Sequence, residues 1–140
     1  MTGPQRIVPI RVQGIGGVFL KANRPAVLAE WYGKHFGLEF QSAGADCGGG
    51  ENYWLEFVYH DDPDPSKRIA VVFAIQSAAS TLPAERHAVE INYRVPDIER
   101  FLAQLTTAGI PIEKREDYDY GRFAWIRDPE NNRIELFQPL

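Results

Sequence analysis

Two glutamates stand inside apolar runs. Glu90 lies between Val89 and Ile91, and Glu135 lies between Ile134 and Leu136. Both segments are rich in strand formers, and successive strand side chains point to opposite faces. Each glutamate is therefore expected on the face opposite its apolar neighbours. Two carboxylates within a few ångströms of each other would raise the pKa of one. A carboxylate so poised can act as general base and remove a proton beside a carbonyl. Lys21 and Arg94 offer two cations for the same pocket. The alternative is structural: Glu90 and Glu135 could simply pair with Arg94, Lys21 or Arg133 across the sheet, since ion-pair networks also perturb pKa values.

The other reactive side chains offer less. His35 falls on a helix edge, and His60 lies in His-Asp-Asp-Pro-Asp-Pro, which lacks the glycine and ligand spacing of a calcium loop. His87 is three residues before Glu90, an odd spacing that turns it to the other strand face. Cys47, the one cysteine, precedes three glycines and has no base placed near it by sequence, so it reads as a loop thiol. With one cysteine no intramolecular disulfide can form, which fits a reducing, cytoplasmic setting.

The elements that must position these groups can be read from the hydrophobic pattern. Residues 1–12 read as an arm. Ile15 to Ala22 reads as a strand. Pro25 opens a helix whose apolar stripe is Leu28, Trp31, Tyr32 and Phe36, ended by Gly37. Leu38 to Phe40 is a short strand. A glycine-rich loop at 42–51 leads to strands at Tyr53–Tyr59 and Ile69–Ile75, joined by a proline- and aspartate-rich turn at 60–67. After a connector at 77–86 the same order returns. Ala88–Val95 is a strand, and Asp97 caps a helix with Ile98, Phe101, Leu102, Leu105 and Ala108 on one face. Gly109 ends that helix. Ile110–Ile112, Tyr120–Ile126 and Arg133–Phe137 are three further strands, the last two joined by a turn at 128–132.

Strand, helix and three strands thus occur twice. A shift of 73 positions places Ile91 on Val18, Arg94 on Lys21 and Phe101 on Leu28. The reading is one α+β domain over 1–140, with a first module at about 13–76 and a second at about 87–139. The chain has 140 residues, a hydrophobic fraction of 44%, and a net charge of −4. That balance disfavours nucleic acid as the main partner. No apolar run is long enough to span a bilayer, and no signal pattern opens the chain.

Three stretches carry a family likeness. They are GGVFLKANRPAVLAEWYGKHFGL (16–38), INYRVPDIERFLAQLTTAGI (91–110) and YGRFAWIRDPENNRIELFQP (120–139). They resemble the vicinal-oxygen-chelate superfamily, the glyoxalase, bleomycin-resistance and dioxygenase proteins. The resemblance implies two tandem βαβββ modules whose curved mixed sheets surround a pocket, a small-molecule ligand, and a homodimer. It also implies metal-ligand positions on the first and last strand of each module, with zinc, nickel, manganese or iron as the metals to expect. Glu90 and Glu135 occupy two of these positions. Gly17, equivalent to Glu90 under the repeat, and the position near Phe73 lack donors, so absence of metal is favoured. A dioxygenase is disfavoured, because no histidines stand at its iron-ligand positions.

The leading expectation is a glyoxalase-like lyase or isomerase acting on a small oxygenated molecule. Glu90 and Glu135 would be catalytic, and Phe19, Lys21, Asn92, Arg94, Tyr120 and Trp125 would contact substrate. The alternatives are a metal-free, bleomycin-resistance-like binding protein, whose acidic balance suits cationic ligands, and a non-catalytic domain that keeps the fold.

Overall fold

The computed structural model describes residues 15–43, 51–84 and 89–140. The expected arm at 1–12, Cys47 and His87 lie outside the described residues. The first module comprises β1 (Gly17–Ala22), α1 (Pro25–Phe36), β2 (Gln41–Ser42), β3 (Asn52–His60) and β4 (Arg68–Ser77). The second comprises β5 (Ile91–Arg94), α2 (Ile98–Thr107), β6 (Lys114–Tyr118), β7 (Gly121–Arg127) and β8 (Arg133–Pro139). Each forms a four-stranded mixed sheet, in the orders β1-β4-β3-β2 and β5-β8-β7-β6. In each the first strand is parallel to the last and the other pairs are antiparallel. The fold is α+β, built from two βαβββ modules.

The register divides each sheet into two faces. Leu20 pairs with Ile75 and Tyr53 with Ile75, on the side that packs on α1. Ile134 and Leu136 face the core, paired with Ile126 and Ala124, and all four are buried. One core cluster joins Leu28, Tyr32 and Ile75 of the first module to Ile98, Leu105, Ile126 and Leu136 of the second. The helix-facing sides of both sheets therefore share a single apolar interior, and the helix-free faces carry the remaining alternate residues.

Only one of the two helix starts is capped by its own sequence. Asp97 caps α2 by accepting from the Arg100 amide at 3.1 Å. Arg24, before α1, supplies no side-chain cap. The Glu130 carboxylate replaces it from the other module, accepting from the Asn23 amide at 2.7 Å and the Arg24 amide at 2.8 Å. Gly37 and Gly109, with φ of 67° and 81°, take the left-handed conformation that ends each helix.

Two expected strands fall elsewhere, and in the same way. Leu38–Phe40 and Ile110–Ile112 are not strands, and β2 and β6 begin at Gln41 and Lys114. Leu38, Phe40, Ile110 and Ile112 pack against the core as connections. The edge strands that follow are polar, Gln-Ser and Lys-Arg-Glu-Asp-Tyr, as solvent-exposed edges tend to be. Apolarity marked burial here, not strand pairing.

Candidate functional site

The repeat is clearest as two rows of side chains on the helix-free faces. In the second sheet the row runs Asn92, Glu135, Trp125, Lys114 across β5, β8, β7 and β6. In the first it runs Phe19, Ala74, Trp54, Gln41 across β1, β4, β3 and β2. The tryptophans match. The glutamate of one row is the alanine of the other, flanked by Phe19 and Trp54. The register thus puts the fourth implied donor position at Ala74, one residue from the expected Phe73. Phe73 points to the opposite side, into an aromatic core with Tyr32, Phe40, Phe57 and Tyr93.

Gly17 also lacks room for a donor. A Cβ there would lie 2.9 Å from the Val72 carbonyl oxygen and 3.2 Å from the Phe19 ring. The Phe19 ring occupies the space that a ligating side chain would need.

The two glutamates are separated. Glu90 lies just before β5 and pairs with Arg133 at 3.2 Å. Glu135 accepts a 2.7 Å hydrogen bond from Asn92 Nδ2. The two carboxylates stand at positions about 7 Å apart along the strand direction, two residues at the usual rise, and each has its own partner. The described residues contain no group of three or more His, Cys, Asp or Glu side chains able to hold a metal ion. Among the described residues the donor set falls short of the three protein ligands of a catalytic zinc site and the four of a structural one.

Aromatic rings fill much of this face in the second module. Phe123 stacks on Phe137 (centroids 4.9 Å, 19°) and on Trp125 (6.2 Å, 16°). Tyr118 and Tyr120 stack on each other at 5.5 Å and 11°, edge-on to Phe123. Trp125 is only 8% exposed, with Lys114 and Arg133 each 5.5 Å from its ring centre. Of the residues expected to contact substrate, Trp125 is thus covered by cations, whereas Tyr120 (63% exposed) and Phe19 (55%) are open. Phe137 completes this array and is the ring that sequence reasoning does not place at the pocket. Its place two residues after Glu135 was the available signal. Gly121 makes the array possible: a Cβ there would come within 2.4 Å of the Phe137 ring.

Lys21 and Arg94 do not flank one pocket. Two cavities open between the β1 and β5 edges, and the equivalent residues Val18 and Ile91 line both. The larger, about 730 Å³, contains Phe19, Lys21, Tyr32, Asn132 and Arg133. The other, about 360 Å³, contains Asn92 and Arg94. Lys21 donates to Gln76 Oε1.

Beneath the larger cavity lies a buried polar hub. The Tyr32 hydroxyl donates to Asp128 Oδ2 at 2.8 Å. The Asp128 carboxylate also accepts from the Glu130 and Asn132 amides and from Asn132 Nδ2. Burial, aided by Tyr93 and the Asp128 charge, pushes the Tyr32 phenol well above its ordinary value. Burial also raises Tyr93, whose buried hydroxyl makes no hydrogen bond among the described residues. The Asp-Pro-Glu-Asn-Asn turn therefore fastens the two modules together.

A pair of βαβββ modules with open, apolar junction cavities defines the class of α+β protein. The chain belongs to the Glyoxalase/Bleomycin resistance protein/Dioxygenase superfamily, whose family profile matches residues 14–136. The fold is similar to TnmS3, an antibiotic-binding protein from Streptomyces sp. CB03234, with a TM-score of 0.67 and 16% identity over 94% of this chain and 100% of that one. It is similar to a glyoxalase-family protein from Bacillus anthracis (TM-score 0.66, 20% identity, 95% and 100% covered). It is also similar to TioX from Micromonospora sp. ML1 (0.60, 16%, 91% and 99%). No curated protein matches the sequence. No helix of the described residues is long and apolar enough to cross a membrane.

Proposed function

We propose that this chain is a metal-independent binding protein that holds a planar aromatic molecule against the helix-free face of its second sheet. The observation that carries this reading is the array of near-parallel rings, Tyr118 with Tyr120 and Phe123 with Phe137, on the face where metal-using relatives are expected to hold donors. Offset stacking on such rings contributes roughly 0.5–1.5 kcal/mol per pair beyond area burial. The blocked Gly17 position and the substitution of Ala74 for a donor support the metal-free part. Lys114 and Arg133 over Trp125 count against a cationic ligand at that ring. A second copy of the chain is proposed to cover the open rings of Phe19 and Tyr120, in line with the homodimer that the superfamily resemblance implies.

A lyase or isomerase remains the second reading. It is favoured by Glu135, a single partly buried carboxylate oriented by Asn92, which is the geometry a general base needs.

Metal content and ligand binding separate these. Protein expressed with zinc, nickel, manganese and iron supplied is expected to carry well under one metal per chain. Glu90→Gln and Glu135→Gln are expected to leave that content unchanged. A panel of planar aromatic ligands is expected to quench tyrosine and tryptophan fluorescence, and Phe123→Ala to remove the effect. Near-stoichiometric metal lost in both glutamine variants would overturn the proposal.

A further inference from the structure

The smaller junction cavity has a composition that differs from its counterpart. Its walls are Phe36, Phe57, Phe73 and Phe101 with aliphatic side chains, and Val71 and Leu136 lie among these. Its volume, about 360 Å³, is within the range of roughly 300–1,000 Å³ typical of small-ligand sites. Three of its lining residues carry polar side chains: Tyr93, Asn92 and Arg94. Asn92 is committed to Glu135. Tyr93 is a phenol held protonated by burial. Arg94 is different. It is exposed, and it has neither a hydrogen bond nor an ion pair among the described residues.

The repeat supplies an internal control. Lys21, the equivalent cation, lines the larger cavity and is tied to Gln76. Arg133, also in that cavity, is tied to Glu90. The strand partner of Arg94 is Phe137, whose side chain carries no hydrogen-bond acceptor. So both cations at the larger cavity are engaged within the protein, and the single cation at the smaller one is not.

We infer that the smaller cavity is a second binding site, separate from the ring array, for an amphipathic anion: a monocarboxylate with a short alkyl or aryl tail. The tail would enter between Phe36, Phe73 and Phe101, replacing water on apolar walls. The carboxylate would stay at the mouth, where the Arg94 fork matches its geometry with two parallel hydrogen bonds.

Octanoate is the probe, measured by calorimetric titration and by NMR on methyl-labelled protein. The expected result is one class of site, with contacts from the octanoate chain to the Val71 and Leu136 methyls. Arg94→Gln, a change at an exposed position, is expected to weaken octanoate about tenfold, the equivalent of one charge-assisted contact. Arg94→Lys is expected to lose less. Octyltrimethylammonium, with the same tail and opposite charge, is expected to bind more weakly than octanoate. Val71→Phe, checked for an unchanged circular dichroism spectrum, is expected to block binding by filling the cavity. Octanoate bound equally by Arg94→Gln, contacts mapping away from Val71 and Leu136, or no binding at all would each overturn the site. Because the readout is the anion at Arg94, its failure leaves the ring-array reading standing, and the reverse also holds.

Discussion

Tyr32 and Asp128 are 96 residues apart in the chain and 2.8 Å apart in space, phenol to carboxylate, inside the core that both modules share. Removing the hydroxyl by Tyr32→Phe leaves Asp128 with its three other donors. The expected cost is about 1–3 kcal/mol, that of a buried hydrogen bond to a charged group. Asp128→Ala strips partners from Tyr32, from the turn amides and from Asn132, and is expected to cost more. Urea melts of the two single variants and the double variant should show strong non-additivity.

The same phenol sets a limit in alkali. In the unfolded chain tyrosine ionises near pH 10, whereas burial raises Tyr32 and Tyr93 above that in the folded state. The folded protein therefore keeps protons that the unfolded chain releases. The stabilisation is complete below pH 10 and is lost as pH rises from there toward the folded values. Urea midpoints should fall as pH rises above 10, the stability dropping by roughly 1.4 kcal/mol per pH unit for each buried phenol. Tyr32→Phe should flatten the decline. An unchanged slope in that variant would rule Tyr32 out as its source.

Glu130 should behave as a helix cap supplied from a distance. Glu130→Ala leaves the Asn23 and Arg24 amides without their carboxylate and is expected to destabilise by about 1 kcal/mol, as for a lost N-cap. Glu130→Gln keeps one acceptor oxygen and should lose less. Hydrogen exchange locates the effect: the Asn23 and Arg24 amides should lose protection while the start of α2, capped by its own Asp97, should not.

At Gly17 the argument is steric. Gly17→Ala brings a methyl to 2.9 Å from the Val72 carbonyl, and a backbone atom cannot move aside cheaply. Overpacking of this kind is expected to cost about 1–3 kcal/mol. Phe19→Leu should recover only the ring part of the clash. Full stability in Gly17→Ala would mean that the glycine leaves room for a donor, and the metal-free reading would lose its main steric support.

Much of the fold was legible because it is local. The helical stripes, the two glycine stops and the Asp97 cap are written within a few residues of where they act. Alternation alone put Asn92, Arg94 and Glu135 on the face opposite Ile91 and Leu136, and the register agrees. What alternation could not supply was partnership. Glu90 and Glu135 share a face but sit two positions apart, so each meets a different neighbour. Lys21 and Arg94 are equivalent in sequence, yet the gap between the β1 and β5 edges assigns them to different cavities. The stacking of Phe137 on Phe123 is not legible in the sequence, because it depends on Gly121 clearing space for Phe137 across a strand pair. The edge strands failed for another reason: the segments with the strongest apolar signal after each helix are buried connections.

The borrowed cap gives the chain a direction. The amides that open α1 find their acceptor 106 and 107 residues later, whereas α2 begins on a side chain three residues away. One helix can nucleate from its own sequence; the other is finished only when a distant hairpin arrives. Long-range closure of this sort slows folding. It also ends the interchangeability of two halves that still look alike, since a tandem copy of the first module would lack the residue that starts its own helix.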